Sequence, residues 1–258
     1  MKVRVLGCHG SELPGYNTTS FLIDGKILID AGTVTSVLTA EEQLKIDYIL
    51  VTHAHMDHVR DIMFLADNIC YLKKETPLFV LSTSYVIKTL RQFLFNNIIW
   101  PDFSSIPDAE NPVIKFVAID AGQTISISGL EITAIKVHHT VETVGYAVEA
   151  PEGAAIFVGD TGPTEEIWQY ARKIKGLEAI FVETSLPDDM KNLADMTGHL
   201  TPASLDQELK KLAGLPAAIY LYHMKLPRRE TIKKEITRLN HRHIHTLEDG
   251  QVIQIGAR

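Results

Sequence analysis

The chain has 258 residues, with 25 Lys and Arg against 32 Asp and Glu, and a formal net charge of −7. The acidic balance and the lack of a Lys- or Arg-rich run predict that long nucleic acid is not a partner. The chain has no apolar run of membrane-spanning length, no signal-peptide pattern and only two cysteines. We therefore expect a cytoplasmic protein without a disulfide framework and without a membrane partner.

In chain order, the alternating segment KVRVLG predicts a strand, and FLIDGKILID predicts two strands joined at Asp24-Gly25. The apolar run in DYILVTHAH predicts a buried strand, and HVRDIMFLADNI predicts a helix directly after it. PLFVLST predicts another strand, and SYVIKTLRQFLFNNI a helix with Ser82 or Ser84 as its N-cap. The irregular WPDFSSIPDAENP follows, so we predict that residues 84–112 are an insertion serving as a lid or a dimer contact.

The second half of the chain is rich in strands, predicted in IKFVAI, QTISIS, LEITAIKV, VGYAVEA and AAIFVG. Helices predicted in PTEEIWQYARKI, TPASLDQELKKLA and RRETIKKEITRLN then alternate with strands in EAIFVETS, AAIYLYHM and QVIQI. This order predicts an α/β protein with a single domain over residues 1–258, in which two packed β-sheets are flanked by helices.

The segment VTHAHMDHVR places four metal-ligand side chains within six positions. His53 and His55 point the same way on an extended backbone, because side chains alternate along it, so they can share one ion. Asp57 and His58 lie beyond them, where the chain turns, and can reach a second ion. Imidazole and carboxylate suit Zn, Fe, Mn or Co, and the lack of a thiolate argues against a closed structural zinc site.

Further ligand types follow other apolar strands. His138 and His139 end the strand in IKVHHTVETVGY, Asp160 follows the strand in FVGDTG, and His223 follows the strand in IYLYHMK. Active-site groups collect where several strands end at one edge, so we expect these side chains to join the first four. The histidines of NHRHIHTLEDG stay outside the predicted site, because no carboxylate or cysteine stands at ligand spacing there.

The H-x-H-x-D-H pattern of residues 53–58, with the later His, the GDT aspartate and the late His, resembles the metallo-β-lactamase superfamily. HHTVETVGY and FNNIIWPDF also resemble segments of its class II cyclic-nucleotide phosphodiesterases. The resemblance covers nearly the whole chain and implies an αββα four-layer sandwich. It implies two metal positions, one held by His53, His55 and His139, the other by Asp57, His58 and His223, with Asp160 shared. His139 is preferred to His138 because it directly precedes Thr140.

The resemblance implies hydrolysis of a small anionic substrate, 3',5'-cyclic AMP or cyclic GMP, to the 5'-nucleotide. A hydroxide that bridges two divalent ions is the expected attacking group. Zinc is the expected metal, with manganese, iron and cobalt as alternatives. Besides Asp57, the expected catalytic residues are His199, which protonates the leaving group, and Glu183, which orients His199. Asn96 and Trp100 are expected to contact the base.

Several alternatives stay open at this stage. A transfer-RNA 3'-processing endonuclease uses the same H-x-H-x-D-H pattern, although the chain has no basic arm of the usual kind. A non-catalytic, metal-bound binding module is the second alternative, and a homodimer also stays open. His199 has a structural alternative as well, as the residue ahead of a helix with Thr201 as its cap and Pro202 in its first turn. Asp30 and Thr52 are expected to support ligand histidines.

Overall fold

Fourteen strands form two sheets in the computed structural model, which describes residues 1–239, 241 and 243–256. The strands, numbered β1 to β14, are Lys2–Gly7, Ser20–Ile23, Ile27–Ile29, Tyr48–Leu50, Leu78–Ser82, Ile114–Ala118, Thr124–Ile127, Leu130–Lys136, Val144–Ala150, Gly153–Phe157, Leu177–Glu183, Ala218–Tyr222, Ile244–Thr246 and Val252–Gln254. Asn240, which ends the last predicted helix, and residue 258, which ends the predicted domain, lie outside the described residues.

The described residues form seven α-helices, α1 to α7: Ala40–Leu44, Met56–Tyr71, Ser84–Phe93, Glu166–Ala171, Lys191–Thr197, Pro202–Lys210 and Arg229–Arg238. Thr201 caps α6 as predicted, with Pro202 in the first turn. The predicted N-cap of α3 is wrong. Thr83 is the cap, because its side chain accepts from the Val86 N–H, whereas the Ser82 hydroxyl donates to the Val51 carbonyl. None of the helices in the described part of the chain has the length and apolarity needed to cross a bilayer.

Each sheet contains seven strands and mixes parallel with antiparallel pairs. The first has the order β14-β1-β2-β3-β4-β5-β6, and the second has the order β13-β12-β11-β10-β9-β8-β7. The predicted hairpin is confirmed: β2 and β3 pair antiparallel, and Asp24 and Gly25 both have positive φ, as its tight turn requires. Strands β3 to β6 are parallel, so helices cross between them on the outer face.

Three buried clusters fill the spaces between four layers. Between the sheets, the rings of Phe157 and Phe181 stack at 4.5 Å, with Phe21 tilted against both. A second cluster joins the first sheet to α2 and α3, and a third, around Trp168, joins the second sheet to α4, α6 and α7. The predicted αββα arrangement, two mixed sheets between helices, is confirmed.

Residues 84–112 divide into two parts. Helix α3 is the crossover between parallel strands β5 and β6, and its Val86 and Leu90 are buried in the core. It is therefore part of the fold rather than of an insertion. The irregular part is 94–112, which Phe95 and Phe103 anchor in the same cluster. A role for this segment as a lid or a dimer contact stays a prediction.

Candidate metal centre and active site

The predicted ligands follow four strands whose ends meet at one side of the molecule. The 53–58 segment follows β4, whereas His139, Asp160 and His223 follow β8, β10 and β12. Strands β10, β11 and β12 are parallel, and β8 runs the same way because β9 is antiparallel to both β8 and β10. Their carboxyl ends therefore share one sheet edge, where α/β folds build their binding sites.

The first group of ligand atoms comes from His53, His55, His139 and Asp160, and all of these atoms lie within 4.8 Å of one another. The Nδ1 atom of His55 lies 3.4 Å from Nε2 of His139. The Nε2 atom of His53 lies 3.8 Å from Oδ2 of Asp160. Of the two adjacent histidines, His139 faces this group, whereas His138 is exposed.

The second group consists of Asp57, His58 and His223. Nε2 of His223 lies 3.2 Å from Oδ2 of Asp57 and 3.3 Å from Nε2 of His58. Asp160 stands between the groups: its Oδ1 lies 3.4 Å from Nε2 of His58, and its Oδ2 lies 3.4 Å from Nε2 of His223. Its carboxylate is thus positioned to serve both groups.

Two atoms at the centre of this arrangement fit a bound cation. Nε2 of His53 and Oδ1 of Asp160 are buried, and neither has a hydrogen-bond partner in the described part of the chain. Buried polar atoms in folded proteins are almost always paired, so an unpaired nitrogen and oxygen within one cluster of ligand side chains fit the coordination of a cation. Imidazole and carboxylate donors without a thiolate suit a divalent ion such as zinc, manganese, iron or cobalt.

A buried carboxylate orients two of these histidines. The Nδ1–H of His58 donates to Oδ2 of Asp30 at 2.7 Å, while the Thr52 hydroxyl donates to the same oxygen at 2.9 Å. The Thr52 hydroxyl also lies 3.0 Å from Nδ1 of His53, so it accepts from that N–H. These are the contacts expected if Asp30 and Thr52 support His58 and His53 as ligands. They leave Nε2 of each ring facing the cluster.

His223 and His139 are held in the same way by groups that the sequence did not single out. Nδ1 of His223 lies 2.9 Å from the Ser185 hydroxyl, which donates to Oε2 of Glu183 at 2.7 Å. The Nδ1–H of His139 donates to the Gly198 carbonyl at 2.8 Å. Gly198 has φ +66°, and a Cβ there would lie 2.9 Å from Nδ1 of His139, so a side chain would disturb this contact.

His199 and Glu183 form a further buried pair next to the cluster. The Nδ1–H of His199 donates to Oε1 of Glu183 at 2.8 Å, which confirms the predicted contact. The backbone N–H groups of Leu200 and Thr161 donate to the same oxygen. Burial opposes a charged imidazole, but the Glu183 carboxylate outweighs it, so the pKa of His199 is raised above its usual value.

The electrostatics of the cluster are dominated by burial and by the aspartates. Burial holds the pKa of His53 well below its usual value. Burial also acts to lower the pKa of His58, but Asp160 and Asp30 outweigh it and raise that pKa well above normal. Burial acts to raise the pKa of Asp160, yet His223 and His58 hold that pKa well below normal. The buried aspartates therefore favour positive charge at this site.

A groove of about 440 Å³ lies beside the cluster, within the range of roughly 300–1,000 Å³ that is typical of small-molecule sites. It is lined by His55, His139, Thr140, Leu186, Leu193, Met196, Thr197, His199 and Lys225. One wall is apolar, from Leu186 and the α5 residues Leu193 and Met196. The polar part of the lining comes from the imidazoles of His55, His139 and His199 and from the Lys225 amine.

Asn96 and Trp100 are not among the described residues that line this groove. The indole N–H of Trp100 donates to the Met63 carbonyl in α2 at 3.1 Å. The Asn96 side chain accepts from the backbone N–H groups of Ile98 and Ile99. The structure does not bring these two side chains to the groove, because both are used within their own loop and against α2.

Comparison with known proteins identifies the family of the chain and agrees with the αββα arrangement described above. Residues 26–224 match the family described as "Beta-lactamase superfamily domain", and the chain belongs to this family. The crystal structure of unliganded yeast PDE1 superposes with a TM-score of 0.83 at 18% identity, covering 97% of this chain and 98% of that one. The chain therefore has a metallo-β-lactamase fold.

Curated relatives have two kinds of name. A protein from Yersinia pestis named "Probable 3',5'-cyclic-nucleotide phosphodiesterase" is 24% identical over 221 residues, which is 79% of this chain and 62% of that protein. A protein named "Ribonuclease Z" from Thermococcus sibiricus is 24% identical over 154 residues, which is 57% of this chain and 47% of that protein. The chain thus matches about half to three-fifths of the length of these relatives.

Proposed function

We propose that the chain is a phosphodiesterase that uses two divalent metal ions to hydrolyse a 3',5'-cyclic nucleotide to the 5'-nucleotide. The convergence of seven nitrogen and oxygen ligand side chains carries this proposal, together with two buried atoms among them that have no hydrogen-bond partner within the described residues. His53, His55 and His139 would hold one ion, and Asp57, His58 and His223 the other, with Asp160 shared. Such ions, when bound, supply Lewis-acid charge to the phosphodiester and an acidified water as nucleophile.

Residues of the chain supply the remaining chemistry. When the bond between phosphorus and O3' breaks, the leaving oxygen needs a proton. His199 is the proposed donor, because Nδ1 is bonded to Glu183 and the ring lines the groove, leaving Nε2 for the substrate. Glu183, fully buried and bonded to two backbone N–H groups, fixes the ring and stabilises its protonated form.

The groove supports a small nucleotide as the substrate. Its volume suits one nucleotide, and its apolar wall of Leu186, Leu193 and Met196 offers a surface for a base. Lys225 carries positive charge on the same groove, so it can neutralise part of the phosphate. This wall takes the role that the sequence had predicted for Asn96 and Trp100.

Relatives named ribonuclease Z favour a second candidate, cleavage of a transfer-RNA precursor. That substrate is a long polyanion, and its binding would require a basic surface. The chain carries 32 acidic against 25 basic residues and no Lys- or Arg-rich segment. Charge therefore supports the small substrate over the large one.

A comparison of substrates tests the proposal. The zinc- or manganese-loaded protein is assayed with cyclic AMP, cyclic GMP, bis(p-nitrophenyl) phosphate and a transfer-RNA precursor, and chromatography separates 3'- from 5'-nucleotides. We expect 5'-AMP or 5'-GMP, and no such product from an Asp160→Asn control. Cleavage of the transfer-RNA precursor alone would establish the second candidate. A metal-loaded protein without turnover on all four would favour a binding module.

A further inference from the structure

A separate group of metal-ligand side chains lies outside the candidate centre, where the end of β1 meets the turn before β14. It consists of Cys8, His9 and Asp249, which we call the Cys8 cluster. Sγ of Cys8 lies 3.2 Å from Oδ1 of Asp249 and 3.7 Å from Nε2 of His9, and this Nε2 lies 3.5 Å from the same Oδ1. Three different ligand atoms therefore form a nearly equilateral triangle.

Backbone contacts fix the members of the Cys8 cluster. Oδ1 of Asp249 accepts from the Cys8 backbone N–H at 3.0 Å, and Oδ2 accepts from the Asn17 N–H at 2.8 Å. His9 lies in an isolated β-bridge between two neighbouring segments, and its ring packs edge-on against Tyr16 at 5.0 Å. Cys8 and His9 are each only 2% exposed, so the triangle is preorganised and largely closed to water.

The geometry argues against a catalytic Cys-His-Asp relay. In such a relay the imidazole uses one nitrogen for the thiol and the other for the carboxylate. Here the same nitrogen, Nε2 of His9, faces both Cys8 and Asp249.

The distances instead lie close to those of a tetrahedral metal site, with the 3.2 Å between sulfur and oxygen slightly shorter. Zinc binds sulfur at about 2.3 Å, imidazole nitrogen at about 2.0–2.1 Å and carboxylate oxygen at about 2.0–2.2 Å, which separates tetrahedral ligands by roughly 3.3–3.7 Å. The three separations in the Cys8 cluster span 3.2 to 3.7 Å. The side chain of Asp249 is 18% exposed, so solvent reaches this side of the cluster, and a water is the expected fourth ligand.

We propose that Cys8, His9 and Asp249 bind a third divalent ion, zinc or cobalt, apart from the two at the candidate centre. Binding replaces the thiol proton, which leaves to solvent, with the metal–sulfur bond. The Cys8 carbonyl accepts from the His223 N–H at 2.7 Å, so the ion would also brace the loop that carries His223. The inference needs no turnover, and only the count of three ions in its test rests on the two ions of the proposed function.

Cobalt titration separates this site from the candidate centre, which contains no thiolate. The chain has two cysteines, so a sulfur-to-cobalt charge-transfer band must come from Cys8 or Cys70. We expect the band in the wild type and in Cys70→Ser, together with a third equivalent of bound metal. Cys8→Ser should lose both, and His9→Gln should bind the third equivalent at least tenfold more weakly. Asp160→Asn should keep the band, because it alters only the candidate centre.

X-ray absorption of the zinc-loaded wild type needs no variant and covers the case in which Cys8→Ser fails to fold. We expect a zinc–sulfur distance of about 2.3 Å with an average of one sulfur for every three zinc ions. The proposal is overturned if saturating zinc gives no sulfur scattering. It is overturned equally if the cobalt band persists in Cys8→Ser or is lost in Cys70→Ser.

Discussion

Nδ1 of His58 and Oδ2 of Asp30 lie 2.7 Å apart, and both side chains are almost wholly buried. Asp30 stands in the left-handed region at φ +57° and also accepts from the backbone N–H and the hydroxyl of Thr52. One carboxylate thus orients His58 directly and His53 through Thr52. The candidate metal centre depends on this support as well as on its ligands.

We predict that Asp30→Asn weakens metal binding by about 10- to 100-fold, because His58 loses a charged acceptor. Asparagine tolerates positive φ, so the backbone should keep its course. Competition against a chromophoric chelator measures the affinity. Asp24→Asn is the matched control, since Asp24 is an exposed aspartate that also has positive φ. Equal affinity in the two variants would contradict a supporting role for Asp30.

Replacement of each of the two adjacent histidines, His138 and His139, should have a different effect on metal binding. His139→Ala removes a nitrogen that lies 3.4 Å from Nδ1 of His55, so we expect it to bind one ion at the candidate centre far more weakly. His138→Ala removes an exposed side chain and should keep the wild-type metal content. Atomic emission on proteins dialysed against dilute zinc gives both values. A larger loss in His138→Ala would reverse the assignment.

The role of His199 as a proton donor predicts a dependence on the leaving group. His199→Ala should lower kcat for a cyclic nucleotide by about 10²- to 10⁴-fold, because the sugar oxygen then leaves without a proton. Turnover of bis(p-nitrophenyl) phosphate should fall much less, since nitrophenolate leaves without protonation. Metal content should be unchanged. A similar fall for both substrates would indicate that His199 positions the site instead.

The apolar wall of the groove should act on binding rather than on chemistry. We expect Leu193→Ala to raise KM for a cyclic nucleotide by roughly 5- to 30-fold, the equivalent of about 1–2 kcal/mol of lost apolar contact, with little change in kcat. The inhibition constant of dimethyl phosphate, a small diester that carries no base, should not change. Leu72→Ala is the control, since Leu72 and Leu193 are both 41% exposed. An unchanged KM in Leu193→Ala would place the base elsewhere.

Sequence patterns predicted the side chains of this site that directly follow an apolar strand. The pattern of an apolar strand followed by His139, Asp160 or His223 can be read from the sequence. The shared direction of the strands then brings these three side chains together. Ser185 and the Gly198 carbonyl carried no signal, because small polar residues and backbone atoms occur everywhere and only the fold shows what they face.

Two other results depended on tertiary structure. Two of the three residues of the apolar wall lie on α5, a seven-residue helix that the sequence did not predict because it is short and mostly exposed. The contact of Asn96 and Trp100 with the base was predicted from a segment that resembles the family in sequence, and such a resemblance does not show how a loop packs. The two sheets with helices outside them followed from the order of strands and helices, because parallel strands require crossovers on the outer faces, whereas the αββα four-layer form followed from the family resemblance.

Anomalous diffraction from a zinc-loaded crystal tests the central claim most directly. At the candidate centre we predict two peaks roughly 3.5–4 Å apart, separate from the peak proposed at the Cys8 cluster. One should lie within bonding distance of His53, His55 and His139, the other within bonding distance of Asp57, His58 and His223, and both should contact Asp160. Absence of zinc from these positions at saturating concentration, or zinc bound by other side chains while these seven stay free, would contradict the account.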